Sequence, residues 1–161
     1  MRKWGHTIFG NWLYICLMSL AGLDVFKPIF SITFLHEPEE VALFMLPMML
    51  INLGGSLYPD VDLLIMRVWP SFGHRNPLTH SALLPLILVF SALKLRGSAA
   101  FRFVVPFLTS FLIGVGSHLI GDLVKTANIV GVPARIENFW HTINAAFCLV
   151  WVLSPVFTLI A

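Results

Sequence analysis

Long apolar runs separated by short polar stretches make up this chain, and the pattern predicts five membrane-spanning helices. A helix needs roughly 20 apolar residues to cross the hydrocarbon core of a bilayer. Runs near or above that length occupy residues 7–26, 41–58, 78–95, 101–124 and 139–160. The apolar stretch 63–69 is too short to span and is expected to lie at the interface or re-enter the membrane. We therefore expect an all-α bundle in which residues 1–161 form a single membrane-embedded domain.

Composition agrees with an integral membrane protein. Hydrophobic residues make up 58% of the chain and charged residues 11%, against roughly 45–50% and 25% in soluble domains. The net charge is only +2 and no basic stripe interleaves with aromatic residues, which argues against nucleic acid as a partner. No small-residue cleavage site follows the basic N-terminus cleanly, so the first run is interpreted as an uncleaved span.

Histidines and acids gather towards one face of the membrane in this topology. More of the basic residues also fall on that side, which predicts that it is cytoplasmic, together with the N-terminus. Only His36, Asp24 and the acidic loop 37–40 lie towards the other face. The gathered residues are His6, Asp60, Asp62, His74, His80, His118, Asp122 and His141.

A PDVD stretch places Asp60 and Asp62 two residues apart, directly after a proline that should end the second span. In extended backbone the two carboxylates would point to the same side, where they could share a cation or divide the roles of ligand and base. A lone pair of this kind is more often a solvated loop with a helix-capping aspartate.

Two further stretches carry histidines. HRNPLTHS holds His74 and His80 six residues apart, with Arg75 able to grip an anionic oxygen bidentately; the alternative is an interfacial loop. SHLIGDLV places His118 and Asp122 on one helix face, where ionisable groups at membrane depth usually mark a site; the alternative is a structural hydrogen bond. Nearby glycines, Gly114, Gly116 and Gly121, are expected to allow close helix approach. His6 and His141 are each weaker candidates and more typical of interfacial residues.

Imidazoles and carboxylates in this combination are the ligands of zinc, manganese and iron hydrolase sites. The set would suit one catalytic metal with supporting partners, or two metals roughly 3.5–4 Å apart. In the catalytic hypothesis Asp62 acts as general base or orients the water, and Arg75 stabilises an oxyanion. The predicted metal ligands are Asp60, Asp62, His74, His80, His118 and Asp122, with His6 as a further one.

These motifs, in this order, resemble the LexA-regulated, membrane-bound metal-dependent hydrolase family of inner-membrane proteins. The resemblance implies a divalent metal, zinc first with manganese or iron as alternatives, in a multi-pass inner-membrane protein. The chain departs from the family pattern at Leu63, where many members carry a histidine, at Asn76–Pro77, which adds a residue, and after Pro133. The matching elements are Gly5–His6, Tyr58 to Asp62, His74 to Ser81, Ser117 to Asp122, Thr126 and Gly131–Val132.

The leading functional hypothesis is a membrane-bound metal-dependent hydrolase. A site at the membrane face suggests a membrane lipid or a lipid-linked, amphiphilic ester or phosphoester as substrate. The alternative is a small ion or proton transporter, or a metal-binding membrane protein without turnover. A proton relay should continue across the membrane, yet spans one, three and five carry no ionisable residue at mid-depth. A structural bundle with a partner-binding polar rim is a third possibility, but it leaves the one-sided gathering of histidines and aspartates unexplained.

Overall fold

The computed structural model describes residues 8–13, 38–124 and 129–153, together with Gly5 and Cys16. Every regular element in those ranges is helical, which confirms the predicted all-α class. Two short 3-10 turns, Tyr58–Val61 and Pro70–Phe72, flank the second helix. The helices are α1 (Pro38–Leu57), α2 (Asp62–Val68), α3 (Leu83–Leu93), α4 (Ala99–Val124) and α5 (Ala134–Leu153).

Helix α4 is the centre of the fold. It packs mainly against α1 and α5, and over a smaller area against α3. Its apolar side chains Leu112, Val115 and Leu119 are completely buried, and their spacing of three and four residues places them along one side of the helix. Because α4 is held on several sides, the polar residues in its last turns occupy fixed positions.

Glycines set the distance between α4 and its neighbours. A Cβ atom on Gly114 would overlap the carbonyl oxygen of Asn52 in α1, and one on Gly55 would overlap the carbonyl oxygen of Phe111 in α4. A Cβ on Gly116 would lie 3.1 Å from a methyl carbon of Leu149 in α5. Close helix approach, predicted for this glycine-rich stretch, is therefore confirmed at Gly114 and Gly116.

Helix α3 differs most from the predicted spans. It has 11 residues and begins at Leu83 rather than at residue 78. The preceding residues form turns instead, because the backbone N–H groups of Thr79 and His80 both donate to the carbonyl oxygen of Asn76, at 3.0 and 2.9 Å. An 11-residue helix is about 16 Å long, so α3 alone is too short to cross a bilayer.

The other predicted spans agree to different degrees. Helices α1 and α4 match the runs 41–58 and 101–124 closely, and α1 ends just before Pro59 as expected. Helix α5 begins five residues earlier than predicted, and the end of that run lies outside the described residues. Of the first run, residues 8–13 are helical and most of the rest lies outside the described residues. Among the described residues, one helix, Ala99–Val124, is long and apolar enough to cross a membrane, with a mean hydropathy of 1.9.

Candidate metal centre

Three separate chain segments meet at one end of the bundle and carry the histidines and aspartates. Asp60 lies in the 3-10 turn after α1, and Asp62 is the first residue of α2. The backbone there is helical, rather than the extended form in which the PDVD spacing would align the two carboxylates. His80 lies in the turns before α3, and His118 and Asp122 lie in the last turns of α4.

His118 is held by a backbone acceptor. Its Nδ1 lies 2.6 Å from the carbonyl oxygen of Ser56, which can only accept, so Nδ1 carries the hydrogen and donates it. The other ring nitrogen, Nε2, is then the one with a lone pair, and it lies 3.3 Å from Oδ2 of Asp122. This is the tautomer of a histidine that binds metal through Nε2.

His80 is fully buried, and its Nδ1 is likewise directed to a hydrogen-bond acceptor. Its Nδ1 lies 3.3 Å from Oγ1 of Thr79, and the Thr79 hydroxyl itself lies 3.0 Å from the carbonyl oxygen of Asn76. The Thr79 hydroxyl has one hydrogen to give, and its other two neighbours, the carbonyl oxygen of Asn76 and Oδ2 of Asp62 at 3.4 Å, can only accept. With the hydrogen directed to either of them, the hydroxyl oxygen accepts from His80 Nδ1. Nε2 of His80 makes no hydrogen bond within the described structure and lies 3.5 Å from Oδ2 of Asp122.

Burial also sets the protonation state of His80. Loss of solvent, reinforced by the neighbouring His118, lowers the pKa of His80 to about 4, although the nearby carboxylates Asp122 and Asp62 oppose the shift. His80 is therefore neutral at pH 7. A neutral imidazole is the form that binds a metal ion.

Asp62 anchors the loop that carries His74 and His80. Its side chain is completely buried, and Oδ1 lies 3.1 Å from Nδ1 of His74. Oδ2 accepts hydrogen bonds from the backbone N–H groups of Arg75 and Asn76. Oδ2 also lies 3.5 Å from Nδ1 of His80. The carboxylate therefore orients two imidazoles and fixes the backbone between them, a role that the sequence did not indicate.

Two of the distances between these atoms match those between ligands of a tetrahedral metal ion. Ligands about 2.0–2.1 Å from a zinc ion in tetrahedral geometry are separated from one another by about 3.4 Å. Oδ2 of Asp122 lies 3.5 Å from Nε2 of His80 and 3.3 Å from Nε2 of His118. One ligand atom each of Asp60, His80 and His118 also lies within 4.8 Å of the others. Three helix ends and a loop thus converge as the sequence predicted, and an orphaned buried nitrogen faces the centre.

A second group of possible metal ligands lies beside the first and shares Asp60 with it. Ligand atoms of Asp60, Asp62 and His74 also lie within 4.8 Å of one another. The His74 ring stands edge-on to His80, with ring centroids 6.0 Å apart. The six predicted ligands other than His6 are therefore brought together, and His6 lies outside the described residues.

Arg75 is fixed at its backbone rather than at its side chain. It has a φ of 60°, in the left-handed region that is unfavourable for a residue with a Cβ atom. Its N–H donates to Asp62, and its carbonyl oxygen accepts from the N–H of Val130 at 3.1 Å. The guanidinium forms no ion pair within the described residues, so the predicted contact with a substrate oxyanion stays a prediction.

Helix α5 supports the site through residues to which the sequence analysis gave no role. Nε1 of Trp140 donates to the carbonyl oxygen of His80 at 2.9 Å. Oδ1 of Asn144 accepts from the N–H of Ala82 at 2.7 Å. An amide inside an apolar run was the available signal for Asn144. His141, expected at an interface, is completely buried.

No family model, curated protein or solved structure matches this chain.

Proposed function

We propose that this protein is a membrane-bound, metal-dependent hydrolase. The observation that carries the proposal is the convergence of two imidazole Nε2 atoms on the Asp122 carboxylate, at 3.5 and 3.3 Å, with the Nδ1 atoms of both rings directed to other acceptors. The buried Nε2 of His80 makes no hydrogen bond within the described residues, and an unsatisfied buried nitrogen costs free energy unless something binds it.

His80, His118, Asp122 and Asp60 would hold the metal, with zinc as the first candidate and manganese or iron as alternatives. Such an ion supplies Lewis acidity and lowers the pKa of a water molecule towards neutrality. The surrounding protein keeps the His80 imidazole neutral, orients both rings through Asp62, Thr79 and the Ser56 carbonyl group, and excludes bulk water from the buried side. Asp62 was predicted as the general base, but its Oδ2 accepts two backbone N–H groups and its Oδ1 faces His74, so with respect to this ion we assign it the positioning role.

Arg75 is proposed to bind the charged oxygen of the substrate. The loop that carries it is tied to Asp62 on one side and to Val130 on the other, which places its backbone next to the predicted ligands. A guanidinium that is free of internal ion pairs in the described structure can bind a phosphate or carboxylate group bidentately.

The multi-pass membrane location rests on the outer faces of the bundle as well as on α4. Leu50 of α1, Phe90 of α3 and Val150 of α5 are each more than half exposed, as are several other large apolar side chains on these helices. Extended apolar surface of this kind is unfavourable in water and suited to lipid. We propose that further helices accompany α4 across the inner membrane, with the N-terminus and the site on the cytoplasmic side.

An apolar groove next to the site supports an amphiphilic substrate. It has a volume of about 420 Å³ and lies between α3 and α5, with Leu83, Leu86 and Phe147 among its lining residues. Ser81, which follows His80 in the chain, also lines it. A lipid chain in this groove would leave the ester or phosphoester group close to the histidines.

Metal analysis of the purified full chain tests the proposal. The protein in detergent is stripped with a chelator, loaded with Zn²⁺ and compared with the variants His118→Ala and Asp122→Asn. Ser110→Ala is the matched control, because it removes a buried polar group from the same helix two turns away. We expect wild type and Ser110→Ala to retain zinc and the other variants to lose it.

Activity is measured on the same samples with para-nitrophenyl esters of different chain length and with bis-para-nitrophenyl phosphate. Zinc-dependent release of nitrophenol that is lost in His118→Ala supports a hydrolase. Bound zinc without turnover of either substrate class favours the non-catalytic metal protein instead. Absence of bound zinc in wild type overturns the metal site itself.

A further inference from the structure

The geometry points to a dinuclear centre in which Asp60 is shared between two divalent metal ions and the substrate is a phosphoester. This inference rests on the proposed metal-dependent hydrolase and goes beyond it. It is carried by the two ligand groups that meet at Asp60, one with His80 and His118 and one with Asp62 and His74. A carboxylate has two oxygens, so one side chain can serve both groups.

The first position is closed. His80, His118 and Asp122 are each at most 3% exposed. His80 and His118 each donate the Nδ1 hydrogen to another acceptor, so their Nε2 atoms carry the lone pairs that face this position. A metal ion there is held by the protein alone on most sides, and its ligands cannot be replaced by water without opening the bundle.

The second position is open. The His74 side chain is 37% exposed, and Asp60 is half-buried. Nδ1 of His74 lies 3.1 Å from Oδ1 of Asp62, about the separation of two ligands of one ion, so with its hydrogen on Nε2 the ring can present Nδ1 to the second ion. Oδ1 of Asp62 has no other hydrogen-bond partner among the described residues, whereas Oδ2 accepts the backbone N–H groups. A metal ion bound here would have room for water and substrate.

Charge balance favours two ions and identifies the class of substrate. The centre contains three carboxylates, those of Asp60, Asp62 and Asp122, and the neighbouring Arg75 carries a positive charge. With one divalent ion the group, counted together with Arg75, has no net charge and does not attract an anion. With two divalent ions it becomes positive, and a pair about 3.5–4 Å apart can hold both the attacking and the leaving oxygen at phosphorus. The centre is thus suited to a phosphoester rather than a neutral ester.

The proposed reaction is hydrolysis. Water attacks phosphorus, the bond from phosphorus to the leaving alcohol oxygen breaks, and the water proton ends on that alcohol. No oxidant, reductant or further reactant is needed.

Manganese binding to the chelator-stripped full chain in detergent provides a readout that does not depend on activity. We expect two Mn²⁺ ions per wild-type chain and an electron paramagnetic resonance spectrum of two coupled ions. His74→Ala should bind one ion per chain and give the spectrum of an isolated ion. Asp60→Asn should also lose the coupled spectrum, because the shared ligand is gone. Ser110→Ala should behave as wild type.

The outcomes separate the two proposals. One ion per chain in wild type, with a stoichiometry unchanged in His74→Ala, overturns the dinuclear centre and leaves the single metal site standing. No bound ion in wild type overturns both. Since His74 is partly exposed, His74→Ala should fold. Equal unfolding temperatures of the metal-free variant and metal-free wild type check this. His74→Gln is the second variant if His74→Ala does not fold. Faster hydrolysis of a neutral ester than of bis-para-nitrophenyl phosphate by the two-metal form contradicts the assigned substrate class.

Discussion

His118 donates its Nδ1 hydrogen to the carbonyl oxygen of Ser56 across 2.6 Å, and this bond joins α4 to the last turn of α1 at the metal centre. The bond exists only because the two helices approach closely at Gly55 and Gly114. It also fixes which nitrogen of His118 is left for the metal. If the proposed metal site is occupied, helix packing and metal binding are coupled through this bond, and a change in one should appear in the other.

The first prediction tests this coupling with Gly114→Ala. The new methyl group would overlap the carbonyl oxygen of Asn52, so α1 and α4 must separate. Overpacking of this kind costs about 1–3 kcal/mol, and displacement of the Ser56 carbonyl group should weaken zinc binding as well. Thermal unfolding and zinc content of the detergent-solubilised protein measure the two effects.

Gly54→Ala is the matched control for this prediction. Gly54 lies in α1, the helix that Gly114 contacts, and a Cβ atom there would meet nothing within 4 Å. Alanine in a helix interior is more favourable than glycine by roughly 0.5–1 kcal/mol, so this variant should be at least as stable as wild type and bind zinc normally. Equal behaviour of the two variants would show that close packing at Gly114 does not support the site.

The second prediction concerns Asp62→Asn, which keeps the shape of the side chain and removes its charge. Hydrogen-bond donors now face both oxygens of the carboxylate: His74 on one side, and the backbone N–H groups of Arg75 and Asn76 on the other. The NH₂ group of an asparagine would therefore face one of these sets, donor against donor. Hydrogen bonds to a charged group contribute about 1.5–3 kcal/mol. We expect a loss of stability in that range for the metal-free protein, measured by chemical unfolding.

Zinc affinity distinguishes Asp62 from a residue that only maintains the fold. Loss of a partner that orients metal ligands typically reduces affinity about 10–100-fold. Asp60→Asn is the comparison, because Asp60 is half-buried and should matter for metal binding more than for stability of the metal-free chain. If Asp62→Asn is as stable as wild type without metal, the anchoring role is wrong.

The third prediction concerns the support from α5. Asn144 accepts from the N–H of Ala82 at 2.7 Å and donates to the carbonyl oxygen of Trp140 at 2.7 Å, so it links the helix to the turns that carry His80. Asn144→Ala leaves the Ala82 N–H without its acceptor, at a cost of about 1–3 kcal/mol. We expect a lower unfolding temperature and several-fold weaker zinc binding.

Thr142→Ala is the control on the same helix. Its hydroxyl also donates to a helix carbonyl, that of Asn138 at 2.7 Å, but it is exposed and does not touch the site. This variant should bind zinc as wild type does. Weakened binding in both variants would mean that α5 as a whole, rather than the Asn144 contact, determines the position of the loop.

The sequence predicts the ligands of this site better than their supports. His74, His80, His118 and the aspartates stand out because ionisable groups are rare in such an apolar chain. Ser56 accepts the His118 hydrogen bond through its backbone carbonyl group. Every residue has such a group, so the residue type does not indicate this role. Hydroxyl and amide groups such as those of Thr79 and Asn144 are equally common in loops and helices, and their roles depend on distances across the fold.

Element boundaries were predictable where backbone chemistry decides them. Pro59 ends α1 because it cannot continue the helix. The start of α3 was predicted five residues too early, since hydropathy along Leu78–Ala82 does not reveal that Asn76 folds these residues into turns. Hydrogen bonds to the Asn76 carbonyl group override the apolar pattern there, and they also place His80 in the site.

The fourth prediction separates the backbone of Arg75 from its side chain. At a φ of 60° a residue with a Cβ atom is strained, and glycine is not. Left-handed backbone costs such a residue about 1–2 kcal/mol, so Arg75→Gly should unfold at the same temperature as wild type or higher, whereas Arg75→Ala keeps the strain. Both variants remove the guanidinium, and both should keep their metal while losing turnover of bis-para-nitrophenyl phosphate. The measurement is kcat/KM beside zinc content and unfolding temperature. If Arg75→Gly turns over the phosphodiester as wild type does, the guanidinium does not bind the substrate, and the left-handed turn that Asp62 and Val130 hold in place is the whole contribution of this residue.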